Sequence, residues 1–483
     1  MARLLAAFIA AGLVYLVLPG TVIGAWNLIR ISSHRSAGSV SSAWIQAHGH
    51  AQLFGWVGTF IIGISLYTFP KFRGSALRSI PIGWFMLAAW VLAIGLRWYA
   101  GVAGWNGAVL LPATAWTELG VAALLLWQCS PAGPSHRRNE PLEMWIFAGF
   151  GGLLGAMLWQ VYAAALAGGS DMLPAGPDHV LISLALWAFC LPVVFGYSAR
   201  FLRVFLNLGA TDRRGVLLSL GFTSLAAVSC ALDWQAVANA GNLCAVICGV
   251  QALRIFEPSQ RPPKTAGVDP AYPLFARVSF AWLVVSAVLG LAFPLPGVLG
   301  ASRHAFTVGC LATLIFAIGP RILPTFLNSR ELWSIPLMRA SMVSLTAGCF
   351  LRVLAEPLAY NDWLPLAWQL LPVSAIVETA AVLLFALNMA MTLASKVPSW
   401  FQPDQVTERT TVYWLVESYP ATRRVLIDAG VTTLSRVRRV PQTLTLGEAA
   451  LADGASPDAL VQRLREFFAT RLAATAKRQM NRR

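Results

Sequence analysis

The sequence predicts an all-α polytopic membrane protein. About twelve transmembrane helices, in three pseudo-repeats of four, occupy residues 1–400, and a small helical soluble domain with a basic tail occupies 401–483. Three observations carry that reading. Of the 483 residues, 57% are hydrophobic and 12% charged, against roughly 25% charged in a soluble globular chain. The apolar residues fall in blocks of about 20, the length that spans a bilayer core of about 30 Å as a helix. Motifs also recur with a period of four blocks. Together these exclude a soluble enzyme, a nucleic-acid-binding domain and a disordered scaffold. The net charge of +15 lies between the blocks and in the tail, as in loops that face the cytoplasm. The partner it implies is membrane lipid and not nucleic acid.

The twelve spans are expected near 6–29, 45–69, 80–99, 108–128, 142–167, 179–206, 214–232, 235–256, 275–295, 303–327, 335–355 and 365–395. The apolar run near the N-terminus has no small-residue cleavage site after it and is read as the first span. Lys71, Arg73 and Arg78 follow span two, Arg137 and Arg138 span four, Arg213 and Arg214 span six, Arg261, Lys264 and Arg277 span eight, and Arg330 and Arg339 span ten. The alternate loops are nearly free of Lys and Arg, except for Arg30 and Arg35 in the first. This pattern places both termini in the cytoplasm. The seven cysteines fall in or at the ends of apolar blocks and read as buried small hydrophobes without a disulfide framework. In the tail, Val412, Leu415 and Val416 share a helix face, with Pro420 at the start of the next turn. Gly430 marks a helix stop, Thr445 and Glu448 form a capping box, and Leu460, Leu464 and Phe467 or Phe468 form a last apolar stripe.

The repeats join spans two with ten, four with twelve and six with ten. LLPATAWTE, ending in Glu118, matches LLPVSAIVE, ending in Glu378. YSARFLRVF matches IGPRILPTF. His50 precedes Pro70, and His304 precedes Pro324, by the same interval, with Phe72 and Phe326 two residues later. The middle unit is the most diverged and has Asn239 or Asn242 where the Glu is expected. Three units of four disfavour a transporter built from two halves of six. They resemble the pseudo-threefold arrangement of the catalytic subunit of haem-copper oxidases.

Four histidines, His48, His50, His179 and His304, lie at the outer starts of spans two, six and ten, whereas His34 lies in the first outer loop and His136 is cytoplasmic. Equivalent helices of three units meet around an axis, so His50 and His304 are expected to face each other, with His179 nearby. Imidazole is the commonest copper and haem-iron ligand. His48 and His50 are about 200° apart on a helix and cannot both face one metal. Glu118 and Glu378, deep in spans, read as structural partners or a proton relay. Arg97 and Arg352 lie at outer ends against the charge rule and suit an anion such as a propionate. Arg200, Arg203 and Arg321 follow the charge rule and carry no chemistry.

HGHAQLFGWVGTFIIGISLYTFPKF (48–72) and HAFTVGCLATLIFAIGPRILP (304–324) resemble spans of the NnrS family, and the resemblance covers about 1–400. It implies a haem-binding (b-type) and/or copper-binding protein of the bacterial inner membrane, concerned with nitric oxide metabolism or nitrosative-stress defence, with nitric oxide as a gaseous ligand. The implied sites are His50, His304, Arg97 and Arg352 for haem, and His48, His50, His179 and His304 for metal. The chain departs from the family at LPTFLNSR (323–330), where the usual Gly-His-Thr-Gly-Arg is missing. A true oxidase or nitric oxide reductase needs further His ligands in spans seven and ten, which this sequence lacks. The tail resembles a small helical domain fused to redox proteins, but Val431 and Thr432 follow Gly430, so no thiol chemistry is expected there.

Overall fold

The computed structural model describes residues 1–73, 76–130, 140–265, 267–326, 332–394, 406–419, 421–436, 440–441 and 444–480. Pro420, His136, Arg137, Arg138 and Arg330 lie outside them. Among the described residues, twelve helices are long and apolar enough to cross a membrane. They are α1 (Ala2–His34), α2 (Ser42–Phe72), α3 (Ile80–Ala103), α4 (Gly107–Cys129), α5 (Pro141–Leu166), α6 (Ala175–Phe205), α7 (Arg213–Ala231), α8 (Gln235–Leu253), α9 (Tyr272–Gly290), α10 (Val298–Pro324), α11 (Ile335–Tyr360) and α12 (Ala367–Ala394). Each packs on the next in order, and α12 packs back on α1, so the ring closes. The apolar window of α2 is 89% buried and those of α6 and α10 are 67% buried, against 33–50% in the others. These three helices therefore form the centre. Five of the cysteines are buried as expected, but Cys244 and Cys248 are half-exposed.

The period of four recurs in the backbone. Each central helix breaks into a π-helical stretch after its N-terminal part, at Ala51–Gly58, Leu184–Cys190 and Ala305–Ala312. A π turn bonds i to i+5 and leaves carbonyls poorly served. Thr59 and Thr313, each just below its stretch, donate their hydroxyls to Phe54 O (3.3 Å) and Val308 O (3.1 Å). In α6 the N–H that would serve Ala188 in an α-helix belongs to Pro192 and does not exist. The helix following each outer central span also repeats. Ser79-Ile80-Pro81 and Ser334-Ile335-Pro336 open α3 and α11, with the serine hydroxyl accepting from Ile82 N and Leu337 N. Gln128 at the end of α4 accepts from Ser79 N (3.1 Å) and donates to Ser79 O (2.7 Å). Asn388 in α12 does the same to Ser334, at 3.0 and 2.8 Å. In the middle unit Asp212 caps α7, and its own N–H goes to Ala252 O.

The chain divides into two compact units, the second comprising 328–330 and 395–483. Its helices α13 (Val412–Ser418), α14 (Thr422–Asp428), α15 (Thr433–Arg436), α16 (Leu446–Ala452) and α17 (Pro457–Met480) gather Val412, Leu415, Leu426, Leu446, Leu460 and Leu464 in a small core of their own. Phe468 completes the last stripe, and Val416 is only half-buried. Gly430 stops α14 at φ 104°. The expected capping box is present at Thr445 and Glu448. The Thr445 backbone N–H and hydroxyl hold the Glu448 carboxyl below its usual range. A depressed carboxyl contributes stability above its unfolded pKa and loses it as pH falls through the folded one. Thr445→Ala should therefore speed hydrogen exchange of the α16 amides at neutral pH. The variant-to-wild-type ratio should shrink toward one in acid, and a pH-independent ratio would contradict the account.

Candidate functional site

Near the N-terminal ends of α2, α6 and α10 the membrane unit gathers a set of buried charged side chains. His50, the last residue before the α2 π stretch, donates from Nε2 to Glu118 Oε1 of α4 at 3.1 Å, with the two side chains 3% and 0% exposed. Gln160 of α5 donates to Glu118 Oε2 at 3.1 Å. Arg97 of α3 is buried within electrostatic reach of Glu118 and of Asp178 on α6. Arg303 of α10 faces Asp178 and Glu356. Arg352 of α11 donates to Glu356 Oε1 at 3.3 Å, and Glu356 Oε2 lies 3.9 Å from His304 Nδ1. This arc of alternating charge keeps each ion close to an opposite one, the condition for charge in a low-dielectric interior.

The four candidate histidines are held in three different ways. His304, also the last residue before a π stretch, donates Nδ1–H to Gly300 O at 2.9 Å. His48 donates Nδ1–H to Gly20 O of α1 at 2.9 Å. A carbonyl only accepts, so in both neutral rings Nε2 keeps its lone pair, and no partner for it exists among the described residues. His48 and His304 are within electrostatic reach of each other and of Arg352. His50 is the reverse case, with its distal Nε2–H committed to Glu118. At His179 an Arg303 guanidinium nitrogen donates to Nδ1 (3.1 Å), and Nε2–H goes to Gln235 Oε1 (3.3 Å), so both ring nitrogens are used.

His179 does not share the register of His50 and His304. The residue before the α6 π stretch is Ser183, and His179 lies one helical turn outward, where it lines a pocket of about 40 Å³ with Asn242. Asn242 is buried, whereas Asn239 donates to Gly290 O at 2.8 Å. No bond or ring contact joins His50 to His304 among the described residues. Nor, among those residues, do three or more His, Cys, Asp or Glu side chains gather so as to hold a metal ion. Arg97 and Arg352 do occupy equivalent places, at the same offset from their Ser-Ile-Pro starts, as do Glu118 and Glu378 from Pro112 and Pro372. They differ in their partners, because Glu378 Oε1 is buried without a hydrogen bond.

A model of the NnrS protein family matches residues 4–396. The chain belongs to the NnrS family. No curated protein matches it. In this NnrS chain, sequence reasoning missed Asp178, Gln160, Arg303 and Glu356. A carboxylate one turn from Arg352 inside a span was the available signal for Glu356. Asp178 was read as the edge of a loop, and Arg303, at the start of span ten, was not singled out. Whether the chain suits a propionate-bearing cofactor can be tested on its buried polar atoms. Arg97 Nη1, Arg352 Nε and Nη1, both Asn27 amide atoms and Trp368 Nε1 are buried without hydrogen-bond partners. Such atoms are rare in native interiors. Five of these six atoms, four of them donors, belong to Asn27, Arg352 and Trp368 on α1, α11 and α12, where Leu28, Ala355 and Trp368 share one cluster. Donors of this kind, beside two imidazoles with free Nε2, fit a macrocycle that carries carboxylates.

Proposed function

We propose that this NnrS-family chain is a haem-binding (b-type) and/or copper-binding integral membrane protein of nitric oxide metabolism or nitrosative-stress defence. Its place would be the bacterial inner membrane, with both termini cytoplasmic. The observation that supports this reading best is the shared state of His48 and His304. Each ties Nδ1–H to a helix carbonyl, the arrangement that fixes the tautomer and orients a ligating imidazole. His304 with His48 would hold the iron. His50 could offer only Nδ1, the nitrogen beside its own backbone. Arg352 and Arg97 would pair with propionates through their free N–H groups. When bound, haem supplies an iron centre able to take nitric oxide.

The chain's own residues prepare the rest. Glu118 and Gln160 fix the His50 ring, and Glu356 balances Arg352 and Arg303, so the outer layer is held in place by protein contacts alone. The test is an optical spectrum with metal analysis of the full chain purified in detergent. Wild type is expected to carry haem, His48→Ala and His304→Ala to lose the low-spin signature, and His50→Ala to keep it. A wild-type chain isolated from haem-replete cells with neither haem nor copper would refute the function. A reporter fused after Thr470 that is active only in the periplasm would refute the orientation.

A further inference from the structure

The space between α2, α6 and α10, toward their C-terminal ends, is partly open and has a volume of about 130 Å³. We propose that it is a binding site for small neutral apolar molecules of diatomic-gas to xenon size. Phe60, Ile64, Val193, Phe201, Leu314 and Ile318 line it, and no charged side chain does. Its one aromatic hydroxyl is engaged elsewhere: Tyr197 donates to Ser65 Oγ at 2.8 Å and accepts from Thr68 Oγ1 at 3.3 Å. A buried water needs two to four polar partners, and this wall offers almost none. Apolar cavities near 150 Å³ in other proteins stay dry and take xenon or benzene.

The walls also say what is excluded. Every lining residue is buried or half-buried, and the three helices are the most buried spans among the described residues. At the inner end Phe201 lies between Phe72 (ring centroids 5.8 Å) and Phe326 (6.1 Å), one ring from each central helix. At the outer end Val57 and Leu311 belong to the π stretches that begin directly after His50 and His304. The volume is too small for a macrocycle. A neutral diatomic would be held on the axis beneath the histidine layer. That last connection rests on the proposed function, whereas the apolar site does not.

Xenon is the probe. Crystals of the full chain pressurised with xenon should show a xenon atom between α2, α6 and α10. Xenon-129 shifts of the detergent-solubilised protein should saturate in wild type, and that saturation should vanish in Leu314→Trp. Ile64→Phe, a smaller filling, should do the same if the Trp variant fails to fold. Haem content should be unchanged in both. Xenon binding by a wild type that carries neither haem nor copper would uphold this site and refute the function. Ordered waters, an acyl chain or no xenon in the wild-type space would overturn the site.

Discussion

Glu118→Leu is expected to be among the most damaging single substitutions in the membrane unit. The carboxylate is fully buried and accepts from His50 and Gln160, while Arg97 lies within its field. Removing one partner of a buried ionic group leaves the other charge uncompensated, at a cost of about 3–5 kcal/mol. Glu118→Gln should cost less, because its amide oxygen can still accept from His50 Nε2. Arg97→Met combined with Glu118→Leu should recover part of the loss, since the stranded cation is then gone. Thermal unfolding of the detergent-solubilised chain checks this. A Glu118→Leu protein as stable as wild type would show that the Arg97 charge is solvated by something else.

The second large effect is expected at Gly152. A Cβ there would run into the Ala188 carbonyl oxygen, with Phe189 N at 2.9 Å, and at the neighbouring Gly149 it would meet Phe189 O at 3.0 Å. The obstacle is the backbone of the α6 π stretch, so no rotamer change relieves it. Small residues let membrane helices approach in this way. Gly152→Ala should cost at least the 1–3 kcal/mol typical of overpacking, and Gly152→Leu should abolish folded protein. Gly155, exposed and with nothing near its Cβ, is the control: Gly155→Ala should leave the melting temperature unchanged or raise it. Equal behaviour of the two alanine variants in thermal unfolding would remove the close approach as an explanation.

Most of the architecture could be read from the chain. Twelve spans follow from block length, and the period of four follows from the Glu118–Glu378 and His50–His304 matches, because charge inside a membrane is costly enough to stand out. The site was readable only in part. Hydropathy marks Arg97 and Arg352 as anomalies, but it does not tell which imidazole keeps a free Nε2. That is decided by whether a carbonyl, as at Gly20 and Gly300, or a carboxylate, as at Glu118, happens to face the ring. The register of His179, one turn before the position that His50 and His304 share, was not legible, because the His-to-Pro interval joins only spans two and ten. The paired Ser-Ile-Pro starts were visible, yet their meaning required Gln128 and Asn388, which come from a helix later in the chain.

The π stretches of the three central helices make those helices intolerant of added length. Each contains a local surplus of residues per turn, and the side chains above and below it are aimed with that surplus counted in. Deleting one residue from Ala51–Gly58 would let α2 close up as an ordinary α-helix with its two ends aimed much as before, because the widened turns hold that residue as a surplus. Adding one there, where the surplus is already taken up, would swing everything N-terminal to it by about 100°, one residue's share of a 3.6-residue turn. His50 would then leave Glu118 and His48 would leave Gly20, although no wall of the apolar space had been touched. Substitutions within such a stretch alter a surface, whereas a gained residue re-aims half a helix. Natural variation in this protein is therefore expected to add no residue between His50 and Thr59, or between His304 and Thr313, while the identities there drift.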